Sequence, residues 1–116
     1  MIQIPQDPQV VFDIVVEHAL NQNKRCTNEK GNCCYRYKGK KCFAGALIPN
    51  DQYDPDMEGK SWEKLFQDGI VSGKNKGLIT ILQSIHDIES TNDWVECLRK
   101  VGKQFCLNLD KLPPAE

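Results

Sequence analysis

Cys33-Cys34-Tyr35-Arg36-Tyr37-Lys38-Gly39-Lys40-Lys41-Cys42-Phe43-Ala44 sets the architecture of this chain, because two short runs rich in cysteine and aromatic residues flank a Lys-Gly pair. That is the pattern of a β-hairpin. A two-residue primed turn would force Lys38 to positive φ, whereas a three-residue loop of Tyr37, Lys38 and Gly39 places only glycine there and ends in a bulge. The three-residue loop is therefore expected. In that register Arg36 faces Lys40 and Cys34 faces Cys42, while Cys33, Tyr35, Lys41 and Phe43 point to the other side. Tyr35 and Phe43 would pack into the core. The thiols of Cys34 and Cys42 would meet beside the cations of Arg36, Lys38 and Lys40, and nearby positive charge lowers a thiol pKa.

Helices surround the hairpin on both sides in the chain. Asp7 is an N-cap with Pro8 at the first helical position, and Phe12, Val15, Val16, Ala19 and Leu20 repeat at helical spacing. His18 lies at the edge of that stripe and is expected half-buried and hydrogen-bonded. After Gly45, Ala46-Leu47-Ile48-Pro49 reads as a buried connection that Pro49 keeps from becoming a helix. Ser61 caps a short helix carrying Trp62, Leu65 and Phe66, with Gly69 as its stop, and 72–77 is an exposed loop. A third helix uses Leu78, Ile81, Leu82 and Ile85. A fourth repeats Trp94, Cys97, Leu98, Val101 and Phe105, with Cys106 beside the stripe. The expected fold is α+β: about four helices packed on one small antiparallel hairpin in a single domain, 1–116, with 1–6 and 110–116 as mobile tails.

Composition bounds the function. The 116 residues suit one domain, and a formal net charge of -1 argues against a strongly basic nucleic-acid binder. The charge is nevertheless segregated. Seven basic residues lie between Lys24 and Lys41 against one acidic residue, Glu29, while Asp51, Asp54, Asp56 and Glu58 follow with no basic residue among them. The opening Met1-Ile2-Gln3-Ile4-Pro5 has no basic cluster leading into an apolar run, and no stretch has the length of a membrane span, so a cytoplasmic setting with the six cysteines as thiols is expected.

Candidate chemistry is sparse. The cysteines run Cys26-x6-Cys33-Cys34-x7-Cys42 with no C-x-x-C knuckle, so zinc on Cys26, Cys34, Cys42 and His18 is an alternative rather than the expectation, which is no cofactor. Asp54, Asp56, Glu58 and Gly59 imitate the first half of a calcium loop, but the twelfth position from Asp54 is Leu65. Asp54 and Glu58 are instead read as capping the helix of Ser61 or pairing with Arg36. His86-Asp87 lacks the further histidines and aspartates of a two-metal phosphohydrolase, and a Cys-His nucleophilic pair would need Cys34 or Cys42 to meet His86. There is no phosphate-binding glycine loop. Tyr35, Tyr37 and Phe43 among lysines have the ingredients to stack single-stranded nucleic acid, but Tyr35 and Phe43 are assigned to the core.

Cys34-Tyr35-Arg36, Cys42-Phe43-Ala44-Gly45 with Leu47-Ile48-Pro49, Tyr53-Asp54-Pro55, Glu58-Gly59, Leu82-Gln83, His86-Asp87 and Trp94 together resemble a group of small uncharacterised proteins from bacterial and phage genomes. The resemblance implies a compact fold and a phage or mobile-element origin, and it carries no activity, cofactor or catalytic residue. The functional expectation is a non-enzymatic binding protein, an inhibitor of a host protein among the forms it would take, whose partner is another protein rather than nucleic acid or membrane. Its candidate contact residues are Arg36, Lys38, Lys40, Lys41, Tyr53, Asp54, Glu58, His86 and Asp87. The alternative is a small anionic ligand such as a nucleotide, held by Arg36, Lys40 and Lys41 with Asp54, Glu58 and His86 completing the pocket, or a metal.

Overall fold

A computed structural model describes residues 1–114; of the expected C-terminal tail, residues 115 and 116 lie outside them. The fold is α+β: four helices and a small antiparallel hairpin around one core. In chain order the elements are β1 (Ile2–Gln3), α1 (Pro8–Gln22), β2 (Arg36–Tyr37), β3 (Lys40–Lys41), α2 (Trp62–Gln67), β4 (Val71–Ser72), α3 (Lys76–Ile88) and α4 (Trp94–Gln104), with single 3-10 turns between several of them. Among the described residues no helix is long and apolar enough to cross a membrane.

Local signals account for the helix ends. Asp7 accepts the N–H of Gln9 at 2.9 Å, Pro8 opens α1, and Asn23 closes it in the left-handed region at φ 48°. The buried face is Val11, Phe12, Val15, Val16 and Ala19; Leu20, expected there, is exposed, because it lies past the edge of the stripe. Ser61 accepts the N–H of Lys64 and starts α2, and Gly69, at φ 72°, follows its end. Leu78, Ile79, Leu82 and Ile85 of α3 meet Trp94, Leu98 and Val101 of α4 in the core. Gly102 lets α4 approach α1, since a Cβ there would stand 2.9 Å from the Phe12 ring and 2.3 Å from Leu109. Cys97 and Phe105, expected to face the core, only flank it. Cys106 is exposed at φ 56°, where the chain has already left the helix.

Two expectations are overturned. Ile2 and Ile4, expected in a mobile tail, are buried, and β1 pairs in parallel with β4, Ile2 opposite Val71 and Gln3 opposite Ser72. Asn75 secures the same segment by donating to the carbonyls of Pro5 and Gln6. The strand β4 thereby occupies part of what reads as an exposed loop at 72–77. The C-terminal tail is likewise anchored within the described residues: Leu112 is buried, and Arg99 donates to the Pro113 carbonyl at 2.7 Å.

The hairpin also differs. Arg36 pairs with Lys41 and Tyr37 with Lys40, around a two-residue loop with Lys38 at φ 48° and Gly39 at φ 82°. Arg36 therefore does not face Lys40, and Cys34 does not face Cys42; the Cys42 N–H goes to the Tyr35 carbonyl. The primed turn matches the right-handed twist of the strands. Distant side chains hold the register. Glu58 accepts the N–H groups of Tyr35 and Arg36 at 2.9 and 3.1 Å, while Gln22 accepts the Lys41 N–H at 2.9 Å and donates to its carbonyl at 2.8 Å. His18 donates to the same carbonyl at 2.8 Å. Several charge-assisted or part-buried hydrogen bonds of about 1 kcal/mol each outweigh the roughly 1–2 kcal/mol cost of a left-handed lysine. Gly45 is required beside this hairpin, because a Cβ there would stand 2.3 Å from the Tyr35 carbonyl oxygen.

Candidate functional site

The residues 33–37 divide two surfaces. On one, Arg36, Tyr37, Lys38, Gly39, Lys40 and Lys41 join Asn50 and Tyr53 around an open concavity of about 570 Å³ that no carboxylate lines. Arg36 is its fixed element. Its guanidinium donates to Asn50 Oδ1 at 2.8 Å and to the carbonyls of Gly45 and Ile48 at 3.2 and 2.6 Å, and it lies 5.5 Å from the centre of the Tyr53 ring. The expected pairing of Arg36 with Asp54 or Glu58 is therefore not made, because Asn50 and the carbonyls of Gly45 and Ile48 engage both terminal nitrogens of its guanidinium. Lys38 and Lys40 complete the field, with Lys38 near Tyr37 and 3.9 Å from the exposed Glu29. Burial, followed by the Arg36 charge, holds the Lys41 ammonium below its ordinary pKa.

On the other side, Cys33, Cys34, Tyr35 and Cys42 face α3 and the 58–63 segment across a cleft of about 420 Å³. Thr80, Gln83, Ser84 and Asp87 form its helical wall, and Glu58, Lys60 and Trp62 contribute the third side. Of this wall the sequence reading names Asp87 and misses Thr80, Gln83 and Ser84, although their signal is present: positions 80, 83, 84 and 87 share a helix face, the polar counterpart of the apolar stripe of α3.

Behind the cleft lies His86, fully buried, between Phe43 and Trp94. Its place four residues after Leu82 and seven after Ile79 puts it by spacing at the rim of the α3 stripe, but the structure buries it completely. The Cys26 backbone N–H donates to its Nε2 at 2.9 Å, so the ring carries its proton on Nδ1 and donates it to Asp87 Oδ1 at 2.7 Å. Gln83 donates to the same oxygen at 2.9 Å and accepts the Ala44 N–H at 2.8 Å. Asp87 is thus positioned by an imidazole whose Nε2 is taken by a backbone N–H and turned away from the cleft.

The thiols are quiet. Burial and then the Asp87 carboxylate push Cys33 up to about 11, and burial with the neighbouring Cys34 pushes Cys26 up to about 11. Burial and then Glu58 raise Cys34, and burial raises Cys42. The expected lowering by lysines does not occur, because desolvation opposes the thiolate and the nearer formal charges are carboxylates. Cys34 and Cys42 accordingly lack the activated thiolate that a Cys-His nucleophile needs.

The four residues of the zinc alternative do not converge. His18 donates to Lys41, Cys26 Sγ to the Lys40 carbonyl, Cys34 Sγ to the Asn32 carbonyl, and Cys42 Sγ accepts the Gly45 N–H. Among the described residues the ligating atoms that gather within 4.8 Å belong to Cys33, His86 and Asp87 instead. A metal on Nδ1 would have to displace its proton while Nε2 still faces a backbone N–H, leaving an imidazolate, so this trio reads as a hydrogen-bonded cluster. Of the other candidates, Asp54 caps its own 3-10 turn by accepting the Asp56 N–H, and Ser61, not Asp54 or Glu58, caps α2. Comparison of the chain with family models, with curated proteins and with solved structures finds no match in any of the three.

Proposed function

We propose that this protein acts by non-covalent docking on an acidic segment of another protein, through the concavity of Lys38, Lys40 and Lys41 around the fixed Arg36. The supporting observation is the carboxylate-free basic lining on a hairpin whose register is clamped by Glu58 on one strand and by Gln22 and His18 of α1 on the other. A rigid, charged surface favours association by electrostatic steering and avoids an ordering cost on binding. Arg36 argues against a small phosphate or nucleotide as the ligand. The planar fork that would grip a phosphate is engaged with Asn50, Gly45 and Ile48, which leaves lysine point charges suited to an extended acidic surface. Inhibition of a host protein is one form this docking would take if the chain has the phage or mobile-element origin that the resemblance implies.

A glutamate-rich peptide and inorganic phosphate, titrated separately into labelled protein, test the reading. The peptide is expected to shift the amides of residues 36–41 with an affinity that falls as salt rises, and the Lys38→Glu/Lys40→Glu variant to lose that response with its melting midpoint retained. Equal responses to phosphate and peptide, or a peptide response that ignores the reversal, would overturn it.

A further inference from the structure

The cleft on the opposite side of the hairpin is chemically distinct from the docking surface. Asp87 is its central charge. The carboxylate is held by a fully buried imidazole and by Gln83, both on Oδ1; among the described residues no nitrogen or hydroxyl donor reaches Oδ2, and the Cys33 thiol lies within 4.8 Å of the carboxylate. Among the described residues no lysine or arginine pairs with it, whereas Lys60 is engaged with Asp68 and Glu63 with Lys76. Glu58 is engaged by two backbone N–H groups and the Tyr53 hydroxyl. The cleft therefore presents in Asp87 a carboxylate with an open oxygen and, among the described residues, no cation within ion-pair distance, while Glu58 has its oxygens filled and Lys60 is turned to Asp68.

We infer that this cleft is a binding site for a primary alkylammonium group, with Asp87 as its counter-ion. The choice of ammonium over guanidinium follows from the single open oxygen. A guanidinium fork needs two parallel acceptors, and Oδ1 is already filled by the imidazole and the amide. An ammonium is a compact charge with three donors in a tripod. Ser84 supplies a second acceptor, because its hydroxyl proton goes to the Thr80 carbonyl at 3.0 Å and its lone pairs remain open. The alkyl stem has an apolar path: Tyr35, Trp62 and Cys42 line the same cleft, and Tyr35 and Trp62 stand 6.5 Å apart in a tilted pair. A volume of about 420 Å³ lies within the range of small-ligand pockets. The ammonium would come from a free alkylamine or from a lysine side chain of a partner.

The test titrates the intact chain with n-pentylamine, n-pentylguanidine and n-pentanol, followed by backbone amide shifts and calorimetry. Pentylamine is expected to shift residues 33–34 and 83–87 and to bind at least about tenfold tighter than pentanol and several-fold tighter than the guanidine. Asp87→Asn keeps an oxygen for His86 and Gln83 and is expected to bring the amine down to the level of pentanol. Should that variant unfold, the comparison of the three ligands on the wild-type chain still decides. Pentylamine no better than pentanol, a guanidine that binds as well as the amine, or shifts spread over acidic residues outside the cleft would each overturn the inference. A lysine tripeptide that matches pentylamine assigns the group to a protein side chain, and one that fails where pentylamine succeeds assigns it to a free amine; both outcomes support an ammonium site. The acidic-peptide titration of the basic face is unaffected by any of these results.

Discussion

The backbone N–H of Cys26 ends on Nε2 of His86, 2.9 Å away and sixty residues later in the chain. That bond selects the imidazole tautomer, and the tautomer in turn aims Asp87 at the cleft. A pair that reads in sequence as a catalytic or metal-binding His-Asp is, in the fold, a strut joining the 26–34 segment to α3.

His86→Ala should therefore be among the most damaging substitutions. It removes a buried ring packed between Phe43 and Trp94 and strands the Cys26 N–H, a combined loss of about 3 kcal/mol or more, read from denaturant midpoints. Long-range nitrogen–proton correlations should show the Nδ1-protonated form. An Nε2-protonated ring would contradict the strut.

Glu58→Ala should loosen the hairpin selectively. Two backbone donors lose a charged acceptor, so a cost of about 1–3 kcal/mol is expected, together with faster amide exchange at Tyr35 and Arg36 than at α4. Uniform acceleration across the chain would show that Glu58 does not act locally.

Acidification should expose His18. Its proton affinity in the fold lies below the ordinary value of 6.5, chiefly through burial, although the Lys41 carbonyl opposes the shift. The unfolded chain then binds the proton first, so stability is level above about 6.5 and falls as pH drops from there to the lower folded value. His18→Gln, which retains a donor for Lys41, should flatten the melting temperature between neutral pH and the onset of carboxylate titration. An unchanged slope would remove His18 as its source.

Mild oxidation by diamide should join Cys26 to Cys34 and not Cys34 to Cys42. Thr27 and Cys33 form an antiparallel bridge and the Cys34 N–H reaches the Cys26 carbonyl at 2.9 Å, which sets Cys26 and Cys34 directly opposite. The Cys26 N–H goes to His86, so one of the two ladder bonds is made, and opposed antiparallel residues stand at Cα separations of about 4.5–5.5 Å, inside the disulfide range of about 4.4–6.8 Å. Because both thiols are raised, the reaction should be slow at neutral pH and faster in alkali. Peptide mapping that finds Cys34 joined to Cys42 would restore the three-residue hairpin loop.

Helix positions were legible wherever the deciding interaction spans a few residues. Asp7 capping at Gln9, Ser61 capping at Lys64 and the spacing of Trp94, Leu98 and Val101 are local, so the sequence carries them without reference to the rest of the fold. A hairpin near Gly39 was legible for the same reason. Its register was not, because local sterics favour glycine alone at positive φ, while Glu58, Gln22 and His18 supply hydrogen bonds from elsewhere that reverse the preference. The β1–β4 pairing had no local signal, since its register joins residues 2 and 71. The candidate site divides in the same way. The basic run was visible in the order of residues, but the division of Arg36 and Lys40 from Glu58 and Asp87 onto separate surfaces, and the burial of His86 behind them, depend on which segments pack together. Spacing along a chain specifies a helix face; only the packed fold specifies what that face meets.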